Sequence, residues 1–184
     1  MFKKASMVVL CVFSSLTASC LFADDLDHLL PGNENDQIVI DAFEGFNYSY
    51  DPFESAVDFY SVPNGESSLG LVGNIKENTQ PSLILMVNYV GSEWIYADRV
   101  QILVDGEVWS RENFVSRRNV FSGNTRLESA LIPFDADVEA LLDKMHEATD
   151  PVMVRISGQK TEDYSVSKET IDSFYELKEA LKLL

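Results

Sequence analysis

The chain has 184 residues, 46% of them hydrophobic, and 30 acidic side chains against 14 Lys and Arg, a formal charge of -16. Those proportions exclude a collagen-like chain, a coiled coil and a fully disordered one. They also exclude a polytopic membrane protein, because only one stretch approaches the length and apolarity of a span.

That stretch opens the chain. Lys3 and Lys4 form a positive n-region, Ala5 to Leu16 (ASMVVLCVFSSL) is uncharged and mostly apolar, and the small residues Thr17, Ala18 and Ser19 follow. The pattern predicts a cleaved secretory signal over residues 1–23 and hence a periplasmic or secreted protein. Two processing routes compete. Cleavage after Ala23 leaves Asp24 first; lipoprotein processing makes Cys20 an acylated first residue behind Ala18-Ser19, the only route by which the chain would meet a membrane. Thr17 stands where Leu is usual in the second route. An uncleaved anchor over Ala5 to Ala23 is disfavoured because the span is short and Ser-rich.

Both cysteines, Cys11 and Cys20, fall inside this segment, so a chain beginning at Asp24 has no disulfide, no thiol chemistry and no Cys-based zinc site. Its core must stabilise it unaided, which a domain of about 150 residues can do by burying roughly 68 to 70% of its unfolded surface. Loss of Lys3 and Lys4 leaves twelve basic residues against 30 acids, a net -18. Such a field opposes nucleic acid and anionic lipid, and it favours solubility, cationic partners or divalent ions.

Asp24 to Asp36 (DDLDHLLPGNEND) reads as an acidic leader or tether, and residues 37–184 as a single β-rich domain. Strands are expected at Gln37–Phe43, Ala56–Val62, Leu69–Ile75, Ser82–Val90, Glu93–Val104, Glu107–Phe114, Thr125–Phe134 and Pro151–Ser157, each rich in β-branched or aromatic residues between turn signals. Leu83 to Val87 (LILMV) reads as a central strand covered on both faces. Asp105-Gly106 predicts a type I′ hairpin turn, with Val104 opposite Glu107, Ile102 opposite Trp109 and Val100 opposite Arg111. That register collects Trp94, Tyr96, Val100, Ile102, Val104 and Trp109 on a core-facing side and pairs Arg99 with Glu112 on the other.

Two amphipathic helices close the chain. Asp135 or Asp137 caps the first, at about 136–148, with Val138, Leu141, Leu142 and Met145 as its apolar stripe. Ser167 caps the second, at about 168–183, with Val166 and Ile171 as a hydrophobic staple. The fold class expected is mainly β (α+β), an antiparallel β-sandwich or barrel-like sheet with two late helices. The run from Leu83 to Gly106, with Asn88-Tyr89-Val90-Gly91, Trp94 and Asp105-Gly106, and then Val154-Arg155-Ile156-Ser157-Gly158 before a last helix, resembles small exported bacterial β-domain proteins of uncharacterised function. The resemblance covers about a third of the chain. It implies export and fold and assigns no residue a role.

No motif names a reaction. Ser165-Val166-Ser167-Lys168 spells S-x-x-K without its companion S-D-N and K-T-G, and capping by Ser167 explains it. His28, in the leader, and His146, near a helix end, lack H-E-x-x-H spacing or a nearby Cys. Asp135, Asp137 and Glu139 alternate like Ca²⁺ ligands but lack the loop glycine and lead into a helix, whose dipole favours acids there. The chain is therefore expected to hold no metal and no cofactor.

Two features suit recognition. Seven of the 20 aromatics lie between residues 43 and 60, and Phe46, Tyr48 and Tyr50 alternate, so that their rings share one face of a strand, either in the core or against a sugar or peptide. Five of six arginines (Arg99, Arg111, Arg117, Arg118, Arg126) crowd residues 99–126. Their planar forks fit an anionic ligand, the protein's own acidic surface, or cross-strand ion pairs. Phe46, Tyr48, Tyr50, Arg117 and Arg118 are the binding candidates. The function expected is a non-enzymatic envelope module binding protein, peptide or glycan. The alternative is a glycan hydrolase with two carboxylates about 5 to 10 Å apart in a cleft.

Overall fold

The structure is a computed structural model that describes residues 46–182 apart from 52, 62–66, 77–78 and 121–123. The expected signal with Cys20, the leader with His28, the strand at Gln37–Phe43 and the aromatic Phe43 lie outside the described residues.

Two antiparallel sheets carry the chain. The first has six strands in the order β1 (Asn47–Asp51), β2 (Ala56–Ser61), β3 (Ser68–Lys76), β4 (Ser82–Gly91), β8 (Arg126–Pro133) and β7 (Val115–Val120). The second has four, in the order β10 (Thr161–Val166), β9 (Val152–Ser157), β5 (Arg99–Val104) and β6 (Glu107–Arg111). Helices α1 (Ala136–Glu147) and α2 (Lys168–Leu181) come late, as the sequence predicts. The fold is mainly β and sandwich-like.

Period-two alternation decides which faces meet. Leu69, Leu71 and Ile75 of β3, Leu85 and Val87 of β4, and Ala130 and Ile132 of β8 are buried on one side of the first sheet. Val100, Ile102 and Val104 of β5 with Val152, Val154 and Ile156 of β9 are buried on one side of the second. All join one core with the stripes of both helices. Each such Val, Leu or Ile side chain contributes roughly 1.5–3 kcal/mol on full burial. Gly73 of β3 lets α2 lie close, since a Cβ there would come within 2.9 Å of Leu181 Cδ1. Ile84 and Met86, on the other side of β4, are only half-buried, so that strand is less evenly covered than its run of apolar residues suggests.

The Asp-Gly hairpin forms as expected, with φ +45° at Asp105 and +82° at Gly106 and the register Val104 to Glu107, Ile102 to Trp109 and Val100 to Arg111. Asp105 also accepts from the backbone N–H of Asp150 at 3.0 Å, fastening the turn to the segment after α1. Both caps form: Asp135 accepts from Val138 N at 3.0 Å and Ser167 from Thr170 N at 3.2 Å. The staple residues Val166 and Ile171 are buried.

Three expectations need correction. The strand expected from Glu93 begins only at Arg99, and Glu93 to Asp98 instead crosses from one sheet to the other. Tyr96, at φ +53° and 46% exposed, interrupts the extended run and does not join the core face. Trp94 lies in this crossing, half-buried, while Trp109 packs against the core. The strand expected over Glu107–Phe114 ends at Arg111, and β7 then begins at Val115 in the other sheet. Finally, β7 and β10 have no counterpart among the expected strands, while β1 falls on the Phe46, Tyr48 and Tyr50 alternation.

Candidate functional site at the β7 edge

Residues 113 to 127 hold three arginines and no acid, although acids make up 30 of 184 residues. The middle of this stretch is β7, the outermost strand of the six-stranded sheet, paired with β8 on one side only among the described residues. All six of its side chains are exposed, with Val115 at 59% and Val120 at 61%. An edge strand directs alternate N–H and C=O groups away from its sheet, where they can pair with another strand.

Arg117 and Arg118, adjacent in β7, serve opposite faces. Arg118 turns inward. Its Nε donates to Glu128 Oε1 at 3.2 Å and its guanidinium lies 4.8 Å from the centre of the Tyr96 ring. Glu128, opposite Arg118 in β8, is fully buried. Its carboxylate also accepts from the backbone N–H groups of Tyr96 at 3.0 Å and Ala97 at 2.6 Å. One buried carboxylate thus fastens β7, β8 and the inter-sheet crossing together, and these charge-assisted bonds offset its desolvation. The crossing is gripped from the other sheet too: Gln159 N–H donates to Ile95 O at 2.7 Å, and a Cβ at Gly158 would lie 2.3 Å from Tyr96 O. Sequence reasoning passed over Glu128, yet a signal existed. It is the one acid at the buried parity of β8, in step with Ala130 and Ile132.

The remaining arginines of the cluster are engaged within the molecule. Arg99 pairs with Glu112 at 2.6 Å, the cross-strand pair expected from the hairpin register. Arg111 donates to Asp135 and Asp137 at 3.1 Å and lies over the Trp109 ring, and Arg126 lies over Trp94. Arg117 has neither a carboxylate nor an aromatic partner among the described residues. It shares the outer side of β7 with Val115 and Asn119, and its register neighbour is Ser129. Behind it runs a buried polar ladder in which Ser129 donates to Asn88 at 2.7 Å and Asn88 to Ser68 at 3.4 Å.

The aromatic candidates lie at the opposite edge of the same sheet. Phe46, Tyr48 and Tyr50 do share one face, and it is the core-facing one, where they are half-buried against the core. Tyr48 tilts toward the fully buried Phe59, ring centres 6.5 Å apart. Phe53, just beyond β1, is the exposed ring of this region, at 98%. Since β1 and β7 are separated by four strands, the aromatic trio and the arginine pair do not form one site.

The acidic alternation at α1 is likewise engaged. Hydrogen bonds from Arg111 and from Val138 N–H hold the Asp135 carboxyl below the ordinary carboxylate range, Asp137 accepts from Trp109 Nε1 at 2.9 Å, and Glu139 lies 3.9 Å from Lys182. No group of three His, Cys, Asp or Glu that could hold a metal occurs among the described residues. Lys168, of the S-x-x-K run, donates to Asp172 at 2.8 Å while Ser167 caps α2. His146 stacks on Tyr175 at 4.0 Å with Nδ1 3.0 Å from Asp172. Comparison with family models, with curated proteins and with solved structures finds no match.

Proposed function

We propose that the chain is an exported, non-enzymatic interaction module of the bacterial cell envelope, periplasmic or secreted, that engages a protein, peptide or glycan through a β-sheet surface. The observation that carries this reading is the β7 edge, a six-residue strand exposed along its whole length and available for pairing on its outer side among the described residues. Three carboxylates near this edge and α1 are bound within the molecule: Glu128 by two N–H groups and Arg118, and Asp135 and Asp137 by Arg111. Export rests on the n-region, apolar run and small residues of the first 23 positions.

Two measurements test the reading. Intact mass of the protein from the envelope fraction should show a chain starting at Asp24; an acylated Cys20 moves it to the membrane-anchored alternative, and recovery from the cytosol with residues 1–23 attached overturns export. A photo-crosslinking residue at position 117, compared with exposed positions 153 and 165 on the other sheet, should join one envelope component from 117 alone. Absence of a crosslink from positions spread over every exposed surface overturns the module.

A further inference from the structure

We infer that β7 receives an extended, acidic segment of a partner polypeptide, which adds to the sheet as a further strand with a carboxylate set against Arg117. The inference rests on the interaction-module reading and names the partner's chemistry. Its basis is the coincidence, in one strand, of a backbone edge unpaired among the described residues and a local charge opposite to that of the whole chain.

The outer face of β7 presents Val115, Arg117 and Asn119 in succession. An incoming strand therefore meets an apolar position, a cation and an amide at two-residue spacing. An acid opposite Arg117 and an apolar residue opposite Val115 complement it. Main-chain bonds then supply affinity and the side-chain alternation supplies selectivity, the logic of β-strand addition.

A second copy of this chain fits poorly. Antiparallel pairing of β7 with itself through this edge keeps like faces together, so it sets Arg117 opposite Arg117 when centred there and Arg118 opposite Arg118 when centred one residue further on. Like charges directly opposite one another destabilise a pair of strands. The same arginines that discourage self-association leave the edge open to acid. Arg118 is already held by Glu128, so Arg117 is the side chain that can respond to a partner.

The test uses the purified protein and a synthetic eight-residue peptide, blocked at both ends, in which every second residue is Thr and the residues between them alternate Val and Glu, so that Val and Glu share one face two residues apart. Control peptides carry Lys in place of Glu, or keep the Val-Glu order with methylated backbone nitrogens. Binding is followed by titration and mapped by backbone hydrogen exchange. The Glu peptide should slow exchange across residues 115–120 and bind more weakly as salt rises, while both controls fail. Arg117→Ala should weaken binding about tenfold, the loss expected for one charge-assisted hydrogen bond. Because its side chain is exposed and has no carboxylate partner among the described residues, this variant should keep the parent circular dichroism and melting temperature.

Equal affinity for parent and Arg117→Ala, equal binding of the methylated peptide, or concentration-dependent dimerisation through β7 would each overturn the inference. Protection at another surface, such as β1, overturns β7 as the site while leaving the module reading intact.

Discussion

Strands β6 and β7 are neighbours in sequence, both carry arginine and both end a sheet, yet the molecule treats them differently. β6 is fastened by side chains of α1: Trp109 to Asp137, Arg111 to Asp135 and Asp137, and Glu107 to Lys144 at 2.8 Å. A shallow hollow there is lined by Val104, Trp109, Asp137 and Lys144 among others, and its polar groups are mostly paired with one another. Among the described residues β7 has its ladder to β8 and the inward tie of Arg118 to Glu128 and the Tyr96 ring. Residue type does not set this difference; the side chains of α1 and its cap that meet the inner face of β6 do. An arginine close to two carboxylates becomes structure, whereas one on an uncovered edge stays available.

The largest effect should come from removing the interior tie. Glu128→Ala leaves the Arg118 guanidinium and two backbone N–H groups without their acceptor and should cost about 3–5 kcal/mol of stability in urea denaturation. Glu128→Gln, which keeps the shape, should cost less. A loss no larger than that of an ordinary surface substitution would mean that β7 needs no such anchor. Gly106→Ala, at φ +82°, should cost roughly 1–2 kcal/mol by straining the turn that starts β6, although no atom stands within 4 Å of the added methyl. Trp109→Phe removes the bond to Asp137 and should lower stability by about 1 kcal/mol.

Acid should loosen the β6 edge without mutation. Hydrogen bonds from Arg111 and Lys144 lower the Asp135 and Glu107 pKa values. A lowered folded pKa gives stability that is present above the unfolded value of about 4 and is lost as pH falls through the folded one. Exchange protection in β6 and α1 should therefore fall below pH of about 4, and protection unchanged there would break the comparison. At the alkaline end, burial and the nearby Asp58 push Tyr60 up to about 12, so stability should fall as pH rises from its ordinary value of 10.0 toward that figure. The smallest effect belongs to Arg117→Ala, which should leave stability within about 0.5 kcal/mol of the parent. A larger loss would make Arg117 a structural residue like Arg111.

Where pattern and fold agree, the pattern is local. The Asp105-Gly106 turn follows from two successive positive φ values, the helix limits from Asp135 and Ser167, and the central strands from alternation that holds in β5, β9 and the second half of β3. β7 lacked any such mark. VSRRNV buries neither face, so no periodicity separates it from a loop. β10 alternates Glu162, Tyr164 and Val166 inward, but two acids in six residues obscure the rhythm. The Phe46, Tyr48 and Tyr50 alternation identified a shared face correctly, and the choice between core and surface belonged to the neighbours of β1.

By itself the amino-acid order determined strand rhythm, turn, caps and helix stripes, because each is set by sterics and hydrogen bonds among residues a few places apart. Tertiary structure alone decided which arginines are consumed and which is left. It also decided that Glu128 is interior, since the N–H groups that stabilise its charge there lie 31 and 32 residues away. Charge can be buried only where such partners converge, and convergence is a property of the folded chain.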